Sequence, residues 1–272
     1  MIRLVVNAEE LGASARVNRG ILRAHRTGIV TSASVLGNAA DLAAVQAVAA
    51  EAPALGIGLT LTVVGGSPVA RPQDVPSLLG PGGELRRRPV EVAIAWARDA
   101  IVPAELEREL TAQIHRALDA GLTIDHLDTR GHLGFVPGIG QIVEGLARRY
   151  RIPGLRSAAE PPTLGWLADP RRGLEAGVLA GMAWLTRRRL GALRHGPRTW
   201  GYFEEGRLDE VRILEIVGRL EAGAHEIICH PIEGEDEEMS AAASELRALT
   251  AAKVRKAITR RGITLCTWRE LF

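Results

Sequence analysis

Apolar positions along this chain switch repeatedly between two spacings, and the switching predicts the architecture. Arg3 to Val6 is a short apolar run without a turn signal, read as a buried strand that runs into Asn7-Ala8-Glu9-Glu10-Leu11-Gly12. From Arg16 to Thr27 the apolar residues Val17, Ile21, Leu22 and Ala24 fall at helical spacing, with Gly28 placed to stop the helix. A β-type run follows over 29–36, then an Ala/Val-rich helix from Asp41 to Glu51, then a strand over 56–63. Strand, helix and strand in this repeated order are the signature of a parallel sheet or barrel.

The pattern continues with less regularity. Residues 65–83 are rich in Gly and Pro and read as a long loop, either at a substrate site or only on the surface. Pro103 to Gly121 is an amphipathic helix carrying Leu106, Leu110, Ile114 and Leu118, with His115 on its polar face. Ile124 to Thr129 is a strand and Ile139 to Arg149 a helix, whereas 153–198 is hard to read beyond a helical stretch over 174–193. Helices are predicted over 208–220 and 241–261, and strands over 224–231 and 263–266.

Composition narrows the class. With 272 residues, 46% hydrophobic and 24% charged, the chain has the make-up of an ordinary globular enzyme and is long enough for one large β/α barrel. A formal charge of +2, with arginines interspersed among acids, gives no electrostatic case for nucleic acid. Cys229 and Cys266 stand alone, without CxxC or zinc spacing. The first apolar run lacks signal-peptide architecture, and no apolar run approaches the roughly 18 residues of a membrane span, so a cytoplasmic protein is expected. The triplet Arg187-Arg188-Arg189 reads as a solvated helix face, with phosphate or acidic lipid headgroups as the alternative ligand, and the acidic run from Glu233 to Glu238 as a solvated loop; Trp166, Trp184 and Trp200 either line a groove or pack in the core or against a partner.

Three predicted strand ends collect polar groups: Glu9-Glu10, then His126-Leu127-Asp128-Thr129-Arg130-Gly131-His132, then Cys229-His230-Pro231. In β/α proteins such ends are where active sites form. Glu9 and Glu10 can divide the work of general base and metal ligand, or simply open a helix where acids favour the dipole. On a strand, His126 and Asp128 share a face while Leu127 takes the other; His132 lies beyond, on the loop. A carboxylate and several imidazoles suit amide hydrolysis.

Several of these blocks, in order, resemble the YdjC-like carbohydrate deacetylases, also known as the ChbG/HpnK family. The matching stretches are 4–12, 17–21 with 28–34, 56–62, 126–129 and 226–231. The resemblance implies a distorted β/α barrel over 1–272 as a single domain, and metal-dependent removal of acetyl groups from N-acetylated sugars. In the family's opening motif, Asn-Ala-Asp-Asp-Phe-Gly, the first Asp is the proposed base and the second a metal ligand; here they are Glu9 and Glu10. The family's Gly-Leu-His becomes Gly58-Leu59-Thr60, and its Asp-Ser-His-x-His becomes Asp128-Thr129-Arg130-Gly131-His132. Arg130 thus stands in a ligand position, where a permanent cation cannot bind metal.

The expectation is therefore a divergent, hydrolase-like relative acting on an N-acetylated or acylated sugar-like small molecule, without the family's usual metal site. Arg130 pairs with Glu10 and orients a substrate carboxylate, phosphate or carbonyl; Glu9 is the base and His230 an acid; Thr60, His126, Asp128 and His132 contact substrate. No cofactor is expected, and a divalent metal (Mg or Zn) enters only if Glu10, His126 and His132 form a replacement set. The alternatives are a non-catalytic ligand-binding pseudoenzyme, or a metal-free acid/base enzyme of lyase or isomerase type. No nucleic-acid or membrane partner is expected, and a homodimer is one expected assembly.

Overall fold

The computed structural model describes residues 1–157, 160–161, 169–188, 196–203, 208–234 and 241–272. Among the described residues, eight parallel strands form one curled sheet: β1 (Ile2–Leu11), β2 (Ser32–Leu36), β3 (Gly56–Leu61), β4 (His126–Thr129), β5 (Gly154–Leu155), β6 (Arg198–Trp200), β7 (Gly223–Cys229) and β8 (Ile263–Leu265). Their path is β5-β4-β3-β2-β1-β7-β6, with β8 alongside the start of β1. The sheet is a half-barrel of the β/α type, wrapped by helices. These are α1 (Ala15–Thr27), α2 (Leu42–Glu51), α3 (Pro89–Ala97), α4 (Pro103–Asp119), α5 (Ile139–Arg149), α6 (Pro170–Arg187), α7 (Glu210–Arg219), α8 (Ala241–Thr250) and α9 (Ala252–Arg260). None of the described helices is long and apolar enough to cross a membrane.

The two faces of the sheet differ in chemistry. Leu4, Val6 and Ala8 of β1, Ala33 and Val35 of β2, Leu59 and Leu61 of β3 and Leu127 of β4 join one continuous apolar core beneath the helices. The alternate residues face the concave side and are mostly polar: Asn7, Ser32, Ser34, Thr60, His126, Asp128 and Glu226 are all buried. At the floor of this concave side Trp268, wholly buried, packs with Val5, Cys266 and Leu271 as a separate cluster. The period-2 pattern thus separates a hydrophobic shell from a polar interior.

Several boundaries differ from the sequence reading. The stretch 84–102, left without an element there, contains α3, which Pro89 opens at its first turn. The helix expected over 241–261 is two helices, because Ala251 takes an extended conformation between them. The helix expected over 174–193 is found as α6, starting four residues earlier, with Asp169 accepting from the Arg172 backbone as its N-cap. Trp184 projects from α6 with Arg188 stacked on its ring at 4.6 Å, while Trp200 is buried and donates to His225 Nδ1, so these two do not line a common groove. Trp166, Arg189 and Glu235 to Glu238 lie outside the described residues.

Candidate active site

The end of β1 is built irregularly, and that irregularity places both acids. Ala8 pairs with Ala33 and Leu11 with Val35, so three steps on β1 oppose two on β2. This bulge carries Glu9 and Glu10, and Glu10 sits in the left-handed region at φ 65°. In a regular strand the two side chains would point to opposite faces. Here both line one cavity of about 840 Å3, together with Arg130, His132, Tyr202 and His230. Gly131 and His132, at φ 62° and 56°, make a second left-handed turn that brings His132 back over the same opening.

Beneath Glu9 lies a residue that the sequence reading did not single out. Arg156, buried just after β5, donates to Glu226 Oε2 at 2.9 Å and Oε1 at 2.7 Å, lies 3.5 Å from Asp128 Oδ2, and ion-pairs closely with Glu9 Oε1. Thr199 of β6 also donates to Glu226 Oε2, at 3.2 Å. Arg156 therefore bridges the open side of the half-barrel while neutralising acids from β1, β4 and β7. Burial alone would raise the Glu9 carboxyl, but the Arg156 charge and the His230 hydrogen bond outweigh it and hold it far below the usual carboxylate range. The other Glu9 oxygen, Oε2, faces His230 Nε2 at 3.4 Å.

The Arg130–Glu10 pair expected from sequence forms, with Arg130 NH2 3.0 Å from Glu10 Oε1. Arg130 also donates to the Val64 carbonyl at 3.3 Å, and its side chain keeps 38% of its exposure at the cavity wall. Glu10, at 37%, is equally open. This is an accessible cation with geometry left over for a ligand, unlike Arg156, whose side chain is 2% exposed.

Three of the expected substrate contacts lie too deep for that role. His126 and Asp128 do share a face, but His126 is fully buried: Nδ1 meets Asp125 Oδ1 at 2.7 Å, Nε2 meets Ser34 Oγ at 3.1 Å, and its ring stacks on Trp268 at 4.6 Å. Only glycine at 58 lets this ring lie against β3, because a Cβ there would overlap it. Ser34 in turn donates to Asp128 Oδ2 at 2.5 Å and accepts from Asn7 Nδ2 at 2.9 Å. Asp128 and Thr60 are likewise buried, so these residues support the site from below rather than line it. Burial of the polar side of the half-barrel explains this, since its lower layers are filled by side chains. His132 does line the cavity, with Tyr202 edge-on at 4.6 Å; burial lowers its pKa to about 4, against the pull of Glu9.

His230 is held by its loop. Its backbone N–H donates to Glu245 Oε2 at 2.7 Å, and Arg19 ties Glu233 of the same loop to α1 at 3.0 Å. Gly20 of α1 faces Pro231 so closely that a Cβ would stand 2.5 Å from the Pro231 oxygen. Glycine at 20 was visible in sequence, but its partner 211 residues away was not.

The ligand set implied for a metal falls on positions 10, 60 and 130. Glu10 is engaged by Arg130, the guanidinium offers only donors, and Thr60 presents one buried hydroxyl. Among the described residues, no three His, Cys, Asp or Glu side chains are gathered to hold a metal ion, so Glu10, His126 and His132 do not form the replacement set considered above.

Comparison with known proteins adds a family. The profile of the YdjC-like proteins matches residues 3–260. A carbohydrate deacetylase of Geobacillus stearothermophilus is 31% identical over 275 residues, covering 98% of this chain and 97% of that protein. A carbohydrate deacetylase of Brevibacillus brevis is 43% identical over 152 residues, which spans 56% of this chain and 58% of that relative. The crystal structure of a cellobiose-phosphate cleavage protein from Enterococcus faecalis V583 superposes with a TM-score of 0.79 at 24% identity, covering 99% of this chain and 98% of that one. At that identity the structural likeness speaks for the fold.

Proposed function

This chain belongs to the YdjC-like protein family, and from that premise we propose that it is a hydrolase releasing the acyl group of an acylated sugar, working without the metal geometry its family implies. The carbohydrate deacetylases among its relatives supply the substrate class. The observation that carries the reading is the meeting of Glu9, His230 and Arg130 on one cavity at the carboxyl ends of the strands.

Arg156 shapes the division of labour. A carboxylate whose pKa is held so low is a permanent anion and a weak base, which suits Glu9 to orient His230 and stabilise its imidazolium rather than to keep a proton itself. The sequence reading gave the base to Glu9 and the acid to His230; with Arg156 in view, His230 takes both turns. It accepts the proton of the attacking water as the O–C bond forms, then returns it to the leaving amine as C–N breaks. Arg130 donates to the carbonyl oxygen, where negative charge develops. Glu10 holds Arg130 in place from its other side. The donor-only guanidinium at 130 and the hydroxyl at 60 do not fit a divalent ion bound at those positions.

The test is acyl release from N-acetylated glucosamine oligomers by protein dialysed against a chelator. Turnover should survive chelation and fall about a hundredfold or more in Arg130→Ala and in His230→Gln. A stoichiometric divalent metal whose removal abolishes turnover overturns the metal-free reading. Ligand binding with no turnover on any acylated sugar overturns the hydrolase and favours a binding protein.

A further inference from the structure

Arg130 is tied at two points, and only one of them is a charge. NH2 meets Glu10, while NH1 donates to the Val64 carbonyl at 3.3 Å. A partly exposed ion pair by itself leaves a long side chain free to swing; a second donor on a fixed acceptor sets the plane of the fork. Val64 lies beyond the last paired residue of β3, Leu61 against Thr129, so the sheet ladder does not hold its backbone. Side chains do so instead. The Thr62 hydroxyl, fully buried, donates to the Val64 carbonyl at 3.1 Å and accepts from the Val64 N–H at 3.3 Å. Gln113 of α4 clasps the Thr62 backbone in turn: its Oε1 accepts from the Thr62 N–H at 2.9 Å, and its Nε2 donates to the Thr62 carbonyl at 2.5 Å.

Gln113 belongs to a polar stripe on α4. Glu105, Glu109 and Gln113 fall at a spacing of four, beside the apolar Leu106, Leu110 and Ile114. Glu109, wholly buried, accepts from the backbone N–H groups of Val69 and Ala70, each at 2.9 Å, and from Gln113 Nε2 at 2.7 Å. Glu105 accepts from the Ser77 N–H at 2.7 Å. The Gly- and Pro-rich stretch after β3 is therefore fastened to the helix, and its first residues, Val64 and Gly65, are cavity wall. Buried Glu and Gln side chains are costly unless paired, and here their pairing fixes a backbone that meets Arg130. We propose that Thr62 and Gln113 are positioning residues for Arg130: through the Val64 carbonyl they aim the guanidinium at the oxygen on which charge develops. Their bearing on catalysis rests on the role given to Arg130 in acyl release, whereas the tether stands on the hydrogen bonds themselves. A shift of about 1 Å in such a donor weakens the transition state more than it weakens substrate binding, so kcat is the sensitive quantity.

Thr62→Val is near-isosteric and removes only the hydroxyl. On N-acetylated glucosamine oligomers its kcat should fall about tenfold, with KM within about twofold of the parent. Thr62→Ser keeps the hydroxyl and should recover kcat to within about twofold. Gln113→Met, one step further back, should lower kcat in the same way. Placed in Arg130→Lys, which lacks the fork, Thr62→Val should cost less than about twofold more, because the tether then has nothing to aim. Equal losses in the two backgrounds, or a Thr62→Ser protein as slow as Thr62→Val, overturn the proposal. The guanidinium N–H resonances of Arg130, assigned by their loss in Arg130→Lys, give a readout without turnover. They should shift in Thr62→Val and in Gln113→Met and return in Thr62→Ser; resonances that stay in place overturn the tether whatever the kinetics show. An Arg130→Lys protein as active as the parent, with resonances that shift as described, removes Arg130 from the chemistry and leaves the tether intact.

Discussion

Arg156 and Arg130 each join a carboxylate of the same two-residue bulge, yet they stand in opposite surroundings. Arg156 is sealed beneath the site, pairs with Glu9 and Glu226 and approaches Asp128; Arg130 stands at the cavity wall with one carboxylate and open space. The contrast teaches that adjacent acids need not share a role. A buried arginine among several acids holds a frame together, because removing it strands charges that cannot be rehydrated. An arginine at an opening contributes little to folding and is free to act on a ligand.

The sharpest way to break that comparison is Arg156→Met. Glu226 and Asp128 would be left buried without their cation, and the protein should lose about 3–5 kcal/mol of stability by denaturant unfolding. Equal stability in parent and variant would mean that the frame is held by the apolar shell alone. The opposite arm is Arg130→Lys. A lysine keeps the charge but not the fork, so stability should change by less than about 1 kcal/mol while kcat falls at least about tenfold. A variant that unfolds as readily as Arg156→Met would erase the distinction between the two arginines.

A third variant probes how the frame reaches His230. Gly20→Ala puts a methyl against backbone of the His230 loop, 2.5 Å from the Pro231 oxygen and 2.9 Å from Ile232 Cα, so the loop must shift. Stability should fall by about 1–3 kcal/mol, and kcat should drop more than KM rises, since His230 would no longer sit squarely on Glu9. A fall in stability with unchanged kcat would separate the loop from the chemistry.

The strand and helix order was legible for β1 to β4, β7 and β8, where short apolar runs alternate with helices that mostly carry a clear apolar stripe; β5 and β6, of two and three residues, were too short to leave a pattern. The strand ends were legible for the same reason, and Glu9, Glu10, Arg130, His132 and His230 do meet at one cavity. Arg156 was not, because it directly follows a strand of only Gly154–Leu155, in a stretch without periodicity, and its partners come from β1, β4 and β7. An arginine directly after the apolar run Ile152-Pro153-Gly154-Leu155 was the available signal, since a charge closing such a run needs a partner where it is buried. Alternation placed His126 and Asp128 on one face correctly, yet it could not say how deep along the barrel they lie. Depth is set by Trp268, near the far end of the chain, which stacks beneath His126.

The smallest expected effect concerns His132, which lines the same cavity as Arg130 and feels the charge of Arg156. Its pKa is lowered to about 4, chiefly by burial and further by Arg156, while Glu9 and Asp128 pull it upward. The unfolded chain protonates this imidazole near its ordinary 6.5, so between pH 6.5 and 4 the unfolded state binds more protons than the folded one. Stability from this residue is complete above pH 6.5 and declines as the pH falls toward 4. With partial exposure discounted, the loss should be about 1–2 kcal/mol across that window. His132→Asn, which tolerates the left-handed backbone at 132, removes the titrating group and should flatten that part of the stability profile. In Arg156→Met the loss of positive charge should move the His132 midpoint upward, visible in the proton spectrum of its ring. In Arg130→Lys the charge is kept and the midpoint should stay. A midpoint that moves equally in both would mean that the two arginines act on the cavity as a single field.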